Sequence, residues 1–160
     1  MQHGIPENRG ESGVVSDQNV TTLRRAFEAF ARDDFDAVAA TLDPDVVWDG
    51  VGELVPGGAR HRGVDEVVEQ VFESIRDAYD EFCADPEEFI DVGERVIALG
   101  TFTVRPEGGE RTIRTPFVEV IDFRGGRMAR VRWFTDTAEW VYAMPTTPPA
   151  SQEIERSKSD

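Results

Sequence analysis

The chain has 160 residues, with 32 acidic side chains against 17 basic ones and a net charge of −15. That length suits a single domain with a sizeable core. The charge repels phosphate backbones and anionic bilayers, so neither nucleic acid nor a membrane is expected as a partner.

The acids are spread over helices and loops and are not gathered in a tail, a pattern of a solvated, self-repelling surface. Screening in a high-salt cytoplasm would relax that repulsion, and a halophilic setting is expected. The start lacks the basic and apolar segments of a secretory signal, and no apolar run approaches membrane-spanning length. The expected location is therefore cytoplasmic. Cys83 is the single cysteine, which leaves no disulfide framework; it reads as a half-buried small hydrophobe.

Residues 1–15 and 145–160 are rich in Gly, Pro and polar residues and read as disordered extensions of one domain over residues 16–144. Ser16 or Asn19 can cap a first helix, on which Val20, Leu23, Phe27 and Phe30 recur at helical spacing. Arg32-Asp33-Asp34 breaks the pattern, and Phe35, Val38 and Leu42 resume it as a short second helix. Asp43-Pro44-Asp45 ends that helix, because the residue before proline avoids helical geometry. Val46–Trp48 reads as a brief strand, and Gly50 to Gly63 as a glycine-rich loop. From Val64 to Tyr79 the apolar positions mark the clearest amphipathic helix, with Asp65 and Glu66 at its start.

Four strands follow, near residues 81–90, 95–104, 111–123 and 128–135, joined by turns that include Gly108-Gly109 and Gly125-Gly126. Asp136 and Glu139 can cap a last short helix carrying Trp140 and Tyr142. Helices and strands are segregated, so the expected class is α+β, with helices packed on one face of a curved, mostly antiparallel sheet.

Glu119 stands out. Ile113, Thr115, Phe117, Glu119, Ile121 and Phe123 share one face of a strand, apolar except for Thr115 and that acid. A carboxylate there must be paired, protonated or facing a cavity. Arg130 and Arg132 on the next strand can hold it ionised; an apolar surround would keep it neutral instead. Asp49 closes the first strand, either as a loop acid in an Asx turn or as a general base at a pocket mouth. Asp136 is either a helix cap or an acid–base group. His61 lies between two arginines and reads as a loop surface residue. No zinc-ligand spacing, phosphate-cradling glycine motif or Ser-His-Asp set is present, so neither metal nor cofactor is expected.

The order of elements resembles the nuclear-transport-factor-2-like (NTF2-like) superfamily, in particular its SnoaL-like and ketosteroid-isomerase-like members. The resemblance covers residues 16–142 and rests on three strings. They are Phe30-Ala31-Arg32-Asp33-Asp34-Phe35-Asp36-Ala37-Val38, Val47-Trp48-Asp49-Gly50-Val51-Gly52 and Thr115 to Phe123 followed by Gly126-Arg127-Met128. It implies a cone-shaped sheet with three helices, a homodimer, and an apolar pocket for a small hydrophobic carbonyl compound. It also implies catalytic roles for Asp49 as base, Glu119 as oxyanion-hole acid and Asp136 as an acid–base group. Trp48, Phe27, Phe117, Ile121, Trp133 and Arg132 would contact the substrate.

The isomerases' oxyanion-hole tyrosine is absent, since the first helix reads Arg25-Ala26-Phe27 at that turn. Isomerase- or cyclase-type proton transfer is the leading expectation. Its rivals are epoxide or ester hydrolysis by an Asp49, Arg130 or Arg132, and Asp136 set, and a non-catalytic binding or dimerisation module.

Overall fold

A computed structural model describes residues 10–143; residues 1–9 and 144–160, which hold most of both expected extensions, lie outside the described residues. Helix α1 runs from Gly10 to Phe30, starting before either expected cap. Asn19 is instead buried in mid-helix, where its amide donates to the Gly93 carbonyl at 3.1 Å and ties α1 to a strand turn. The helix closes with Asp33 in the left-handed region at φ 55°; the Asp33 N–H donates to Phe30 and the Asp34 N–H to Ala29, both at 3.0 Å. This pair of bonds satisfies carbonyls that a helix end otherwise leaves bare. Asp34 then caps α2 (Phe35–Ala39), its carboxylate accepting the Ala37 N–H at 3.1 Å.

Strand β1 (Leu42–Asp49) takes Leu42 from the expected second helix and includes the Asp43-Pro44-Asp45 expected to end it. Pro44 fits there because the register with the neighbouring strand is irregular between Leu42 and Val47, so its missing N–H breaks no regular ladder. Gly50 and Gly58 then cross so closely that a Cβ on Gly50 would sit 2.4 Å from the Gly58 carbonyl oxygen. That contact requires glycine at position 50, and a Cβ on Gly58 would likewise sit 2.3 Å from the Gly52 carbonyl oxygen. Inside the expected loop lies an unexpected strand, β2 (Arg60–Arg62), antiparallel to β1.

The helix expected over residues 64–79 is α3 (Val64–Val67), a π-helical turn (Val68–Glu73) and α4 (Ser74–Ala78). The wide turn lets the adjacent residues Val71 and Phe72 both point inward, beside Val67 and Ile75. Tyr79 opens β3 (Tyr79–Asp91) and does not close the helix. β4 (Arg95–Pro106), β5 (Ile113–Arg124), β6 (Arg127–Thr135) and α5 (Thr137–Ala143) follow.

The sheet order is β2-β1-β6-β5-β4-β3. β3 to β6 form the expected antiparallel meander, and β1 joins it in parallel beside β6. The result is a curved, open, six-stranded α+β sheet. α1 packs on the inner face over β3 and β4, while α4 packs on β3.

The inner face carries a continuous aromatic core. Phe102 and Phe117 stack at 4.3 Å between ring centres, and Phe102 stands edge-on to Trp133 and Trp140. Burying each such ring stabilises the fold by about 2–3 kcal/mol. Gly100 makes room for this stack: a Cβ there would lie 2.7 Å from the Phe117 ring and 2.2 Å from the Asp85 carbonyl oxygen. Thr115, the polar exception on the inner face of β5, lies 3.2 Å from the Thr135 hydroxyl, which donates to Pro116 and accepts from the Trp140 indole N–H. Cys83, expected to be half-buried, is exposed on β3.

Candidate functional site

Beneath the helices the inner face encloses a cavity of about 60 Å³. Its walls come from α1, α2, β1, the π turn, α4 and β3 to β6; sixteen residues line it, and seven of these are aromatic. Among the described residues Glu119 is the one lining residue that ionises. It sits opposite Trp133 on β6 and Ala98 on β4. The residue is half-buried and lines the cavity wall. Among the described residues its carboxyl has no hydrogen-bond or ion-pair partner. Burial alone therefore acts on it, disfavouring the charged form and pushing its pKa from an ordinary 4.5 to about 7.

The neighbouring arginines cannot pair with it. Arg130 and Arg132 alternate with Val131 and Trp133, so they project from the outer face while the apolar pair points inward. Of the two environments left open by the sequence, the apolar one surrounds Glu119.

Asp49 does not share this cavity. Trp48, its neighbour on β1, points inward and lines the wall, which places the Asp49 side chain on the outer face. There one carboxylate oxygen accepts from Arg130 at 2.7 and 3.0 Å, and the other lies 3.3 Å from Arg60. The expected catalytic pair of Asp49 and Glu119 is thus divided by the sheet, because β1 alternates in the opposite phase. Asp136 is exposed, and its carboxylate caps α5 by accepting the Ala138 N–H at 3.1 Å. At strand rise it lies about 20 Å from Arg130 and about 13 Å from Arg132, whose guanidinium meets Asp122 at 3.6 Å, so neither arginine joins it to Asp49 in an Asp–Arg–Asp set.

The expected contact residues divide in the same way. Trp48, Phe27 and Trp133 line the cavity. Phe117 and Ile121 are buried behind the wall; Phe117 stacks against Phe27. Arg132 is outside, 3.6 Å from Asp122. His61 is on β2, 3.1 Å from Glu66, not on a free loop. Phe30, Phe72, Phe82, Phe102 and Met128 also line the wall, beyond the expected contact residues. Helical spacing pointed to Phe30 and Phe72 as core residues but not to which of them border a hollow. The Trp48 indole N–H is buried without an acceptor among the described residues. No cluster of three metal-ligating side chains occurs among them, and none of their helices is long and apolar enough to cross a membrane.

Such a site can hold a compact apolar body and exchange one proton with it. A carboxyl whose pKa lies near 7 is part protonated and part ionised at neutral pH, the condition for acting as acid or base.

Comparison with known proteins identifies the fold and the family. No protein of curated function matches the chain. An NTF2-like protein of unknown function from Burkholderia pseudomallei is 34% identical, over 79% of this chain and 96% of that one, with a TM-score of 0.70. TerC, crystallised with polyporic acid, is 23% identical, covering 79% and 97% of the two chains with a TM-score of 0.69. A protein of ketosteroid-isomerase-like fold from Catenulispora acidiphila, in complex with trimethylamine, is 11% identical, covering 71% and 83% with a TM-score of 0.63. Residues 23–131 match the SnoaL-like domain, and the chain belongs to that family.

Proposed function

We propose that the chain binds a small hydrophobic molecule in its inner cavity and that Glu119 shares a proton with the molecule's single polar group. One observation carries this: a carboxyl with no protein partner among the described residues faces an apolar, aromatic hollow. Leaving such a group bare is costly, and a ligand atom that bonds to it recovers that cost. The binding of small molecules by TerC and by the Catenulispora protein, both of this fold, supports the same reading. By the measure in which one water needs roughly 10–15 Å³, the hollow takes a handful of atoms, which favours a compact ligand over a steroid-sized one.

Enolisation of a carbonyl compound by two carboxylates lacks support, since only one acid borders the cavity. Isomerase- or cyclase-type proton transfer here runs through Glu119 as both base and acid. The test is an NMR titration of Glu119 together with ligand binding to Glu119→Gln. A midpoint near pH 7 and lost binding in the variant are expected; a midpoint near 4.5 with unchanged binding refutes the proposal.

A homodimer is favoured by a separate observation. The outer face presents two apolar rows, Leu99-Val118-Phe134 and Ile90-Ile97-Val120, across β3 to β6. Phe134 is 53% and Ile90 40% exposed. Exposed apolar side chains gathered in this way mark an association surface. Sedimentation of Phe134→Glu checks it: a dimer should become a monomer, and a wild-type monomer refutes the assignment.

A further inference from the structure

We infer that the occupant of the cavity is a small hydrophobic amine, bound as its ammonium against Glu119 and the surrounding rings. This rests on the cavity being a ligand site and adds the chemical class of the ligand.

Three features converge on a cation. Among the described residues Glu119 is the only charge the walls offer, and its sign is negative. Ring faces carry negative potential, and seven of the sixteen lining residues are aromatic, with Trp133 directly opposite Glu119. An ammonium near a ring face is attracted by about 0.5–2 kcal/mol, whereas a carbonyl oxygen meets repulsion there. The whole molecule carries −15, a field that concentrates cations at its surface and repels anionic ligands. The apolar remainder of the wall takes the alkyl body, which limits the ligand to about six heavy atoms in the present hollow.

The proton balance distinguishes an amine from a carbonyl. Ammonium binding requires ionised Glu119, so well below pH 7, where Glu119 is protonated, each binding event releases a proton to solvent. A carbonyl requires the protonated form and takes a proton up above pH 7. No other lining group on α1, α2, β1, the π turn, α4 or β3 to β6 titrates in this range. Tyr79, whose ring lies 5.7 Å from Phe82, is held neutral by burial.

The experiment uses matched probes, cyclopentylamine and cyclopentanone, titrated by calorimetry into the full chain from pH 5.5 to 8. Cyclopentylamine affinity should rise by about tenfold or more across that range and level off above the Glu119 midpoint, because affinity scales with the binding-competent fraction. Glu119→Gln, with its fold checked by circular dichroism, should bind the amine at least tenfold more weakly. The wild-type pH profile stands as evidence even if that variant fails to fold. Cyclopentanone binding that falls above pH 7, with no amine binding, overturns the amine inference and leaves the ligand site standing. Absence of binding by both probes to folded protein overturns the inference and the site together.

Discussion

The two faces of one sheet treat the same residue type in opposite ways. On the outer face each acid of β1 and β5 that meets an arginine is paired: Asp49 with Arg130 and Arg60, Asp43 with Arg124, Asp122 with Arg95 and Arg132. On the inner face Glu119 has no protein partner among the described residues and lies against an apolar wall. The outer acids rest in solvent-screened ion pairs, each worth at most about 1 kcal/mol. The inner acid is held in a costly state. What separates a structural carboxylate from a reactive one here is strand phase, since moving by one residue along a strand exchanges the two environments.

The sharpest way to break this contrast is Glu119→Gln. For an acid whose folded pKa is raised, the penalty is absent below pH 4.5, grows as pH climbs through that interval, and is constant above about 7. Wild-type stability should therefore decline between pH 4.5 and 7 by about 3 kcal/mol from this group. Denaturant melts of the variant should lack that decline and be the more stable above pH 7. Gly100→Ala comes next and probes the wall behind the cavity. Its methyl group would press on the Phe117 ring and on the Asp85 carbonyl, at a cost of about 1–3 kcal/mol measurable by urea unfolding.

Asp49→Asn should cost about 1 kcal/mol or less and leave binding of the cavity ligand unchanged, as befits the opposite face. A loss of binding comparable to that of Glu119→Gln would erase the distinction between the faces. The smallest effect is expected from salt. Added sodium chloride should raise the melting temperature by a few degrees through screening of the net −15, with no change in the Glu119 midpoint.

Much of the fold was legible from period and punctuation. The meander from β3 to β6, the break at Arg32-Asp33-Asp34 and the turn at Gly125-Gly126 follow from local chemistry that any one segment displays. β2 was hidden, because Arg60-His61-Arg62 has no apolar alternation and exists as a strand only through its pairing with β1. The π turn was hidden too, since Val67, Val71 and Ile75 keep ordinary helical spacing and only Phe72 betrays the extra inward residue. Glu119 was found because a charged residue interrupted an apolar face. Asp49 was misplaced because a strand of eight residues with Pro44 in it looked like three, and its phase could not be read. The family likeness marked Asp49 as a base without saying on which side of the sheet it falls in this chain.

The parallel pairing of β1 with β6 has a consequence for how the molecule is made. Asp49 and Arg130 are 81 residues apart, so the amino-terminal strand leaves the ribosome long before its sheet neighbour is synthesised. Bringing those ends together carries a loop-closure cost of about 4 kcal/mol, which only the finished chain can offset. Until then Val46 and Trp48 lack their cover and β1 offers an open edge to other nascent chains. Translation products that stop short of Arg127 should accordingly precipitate or recruit chaperones, however well their meander strands have begun to pair.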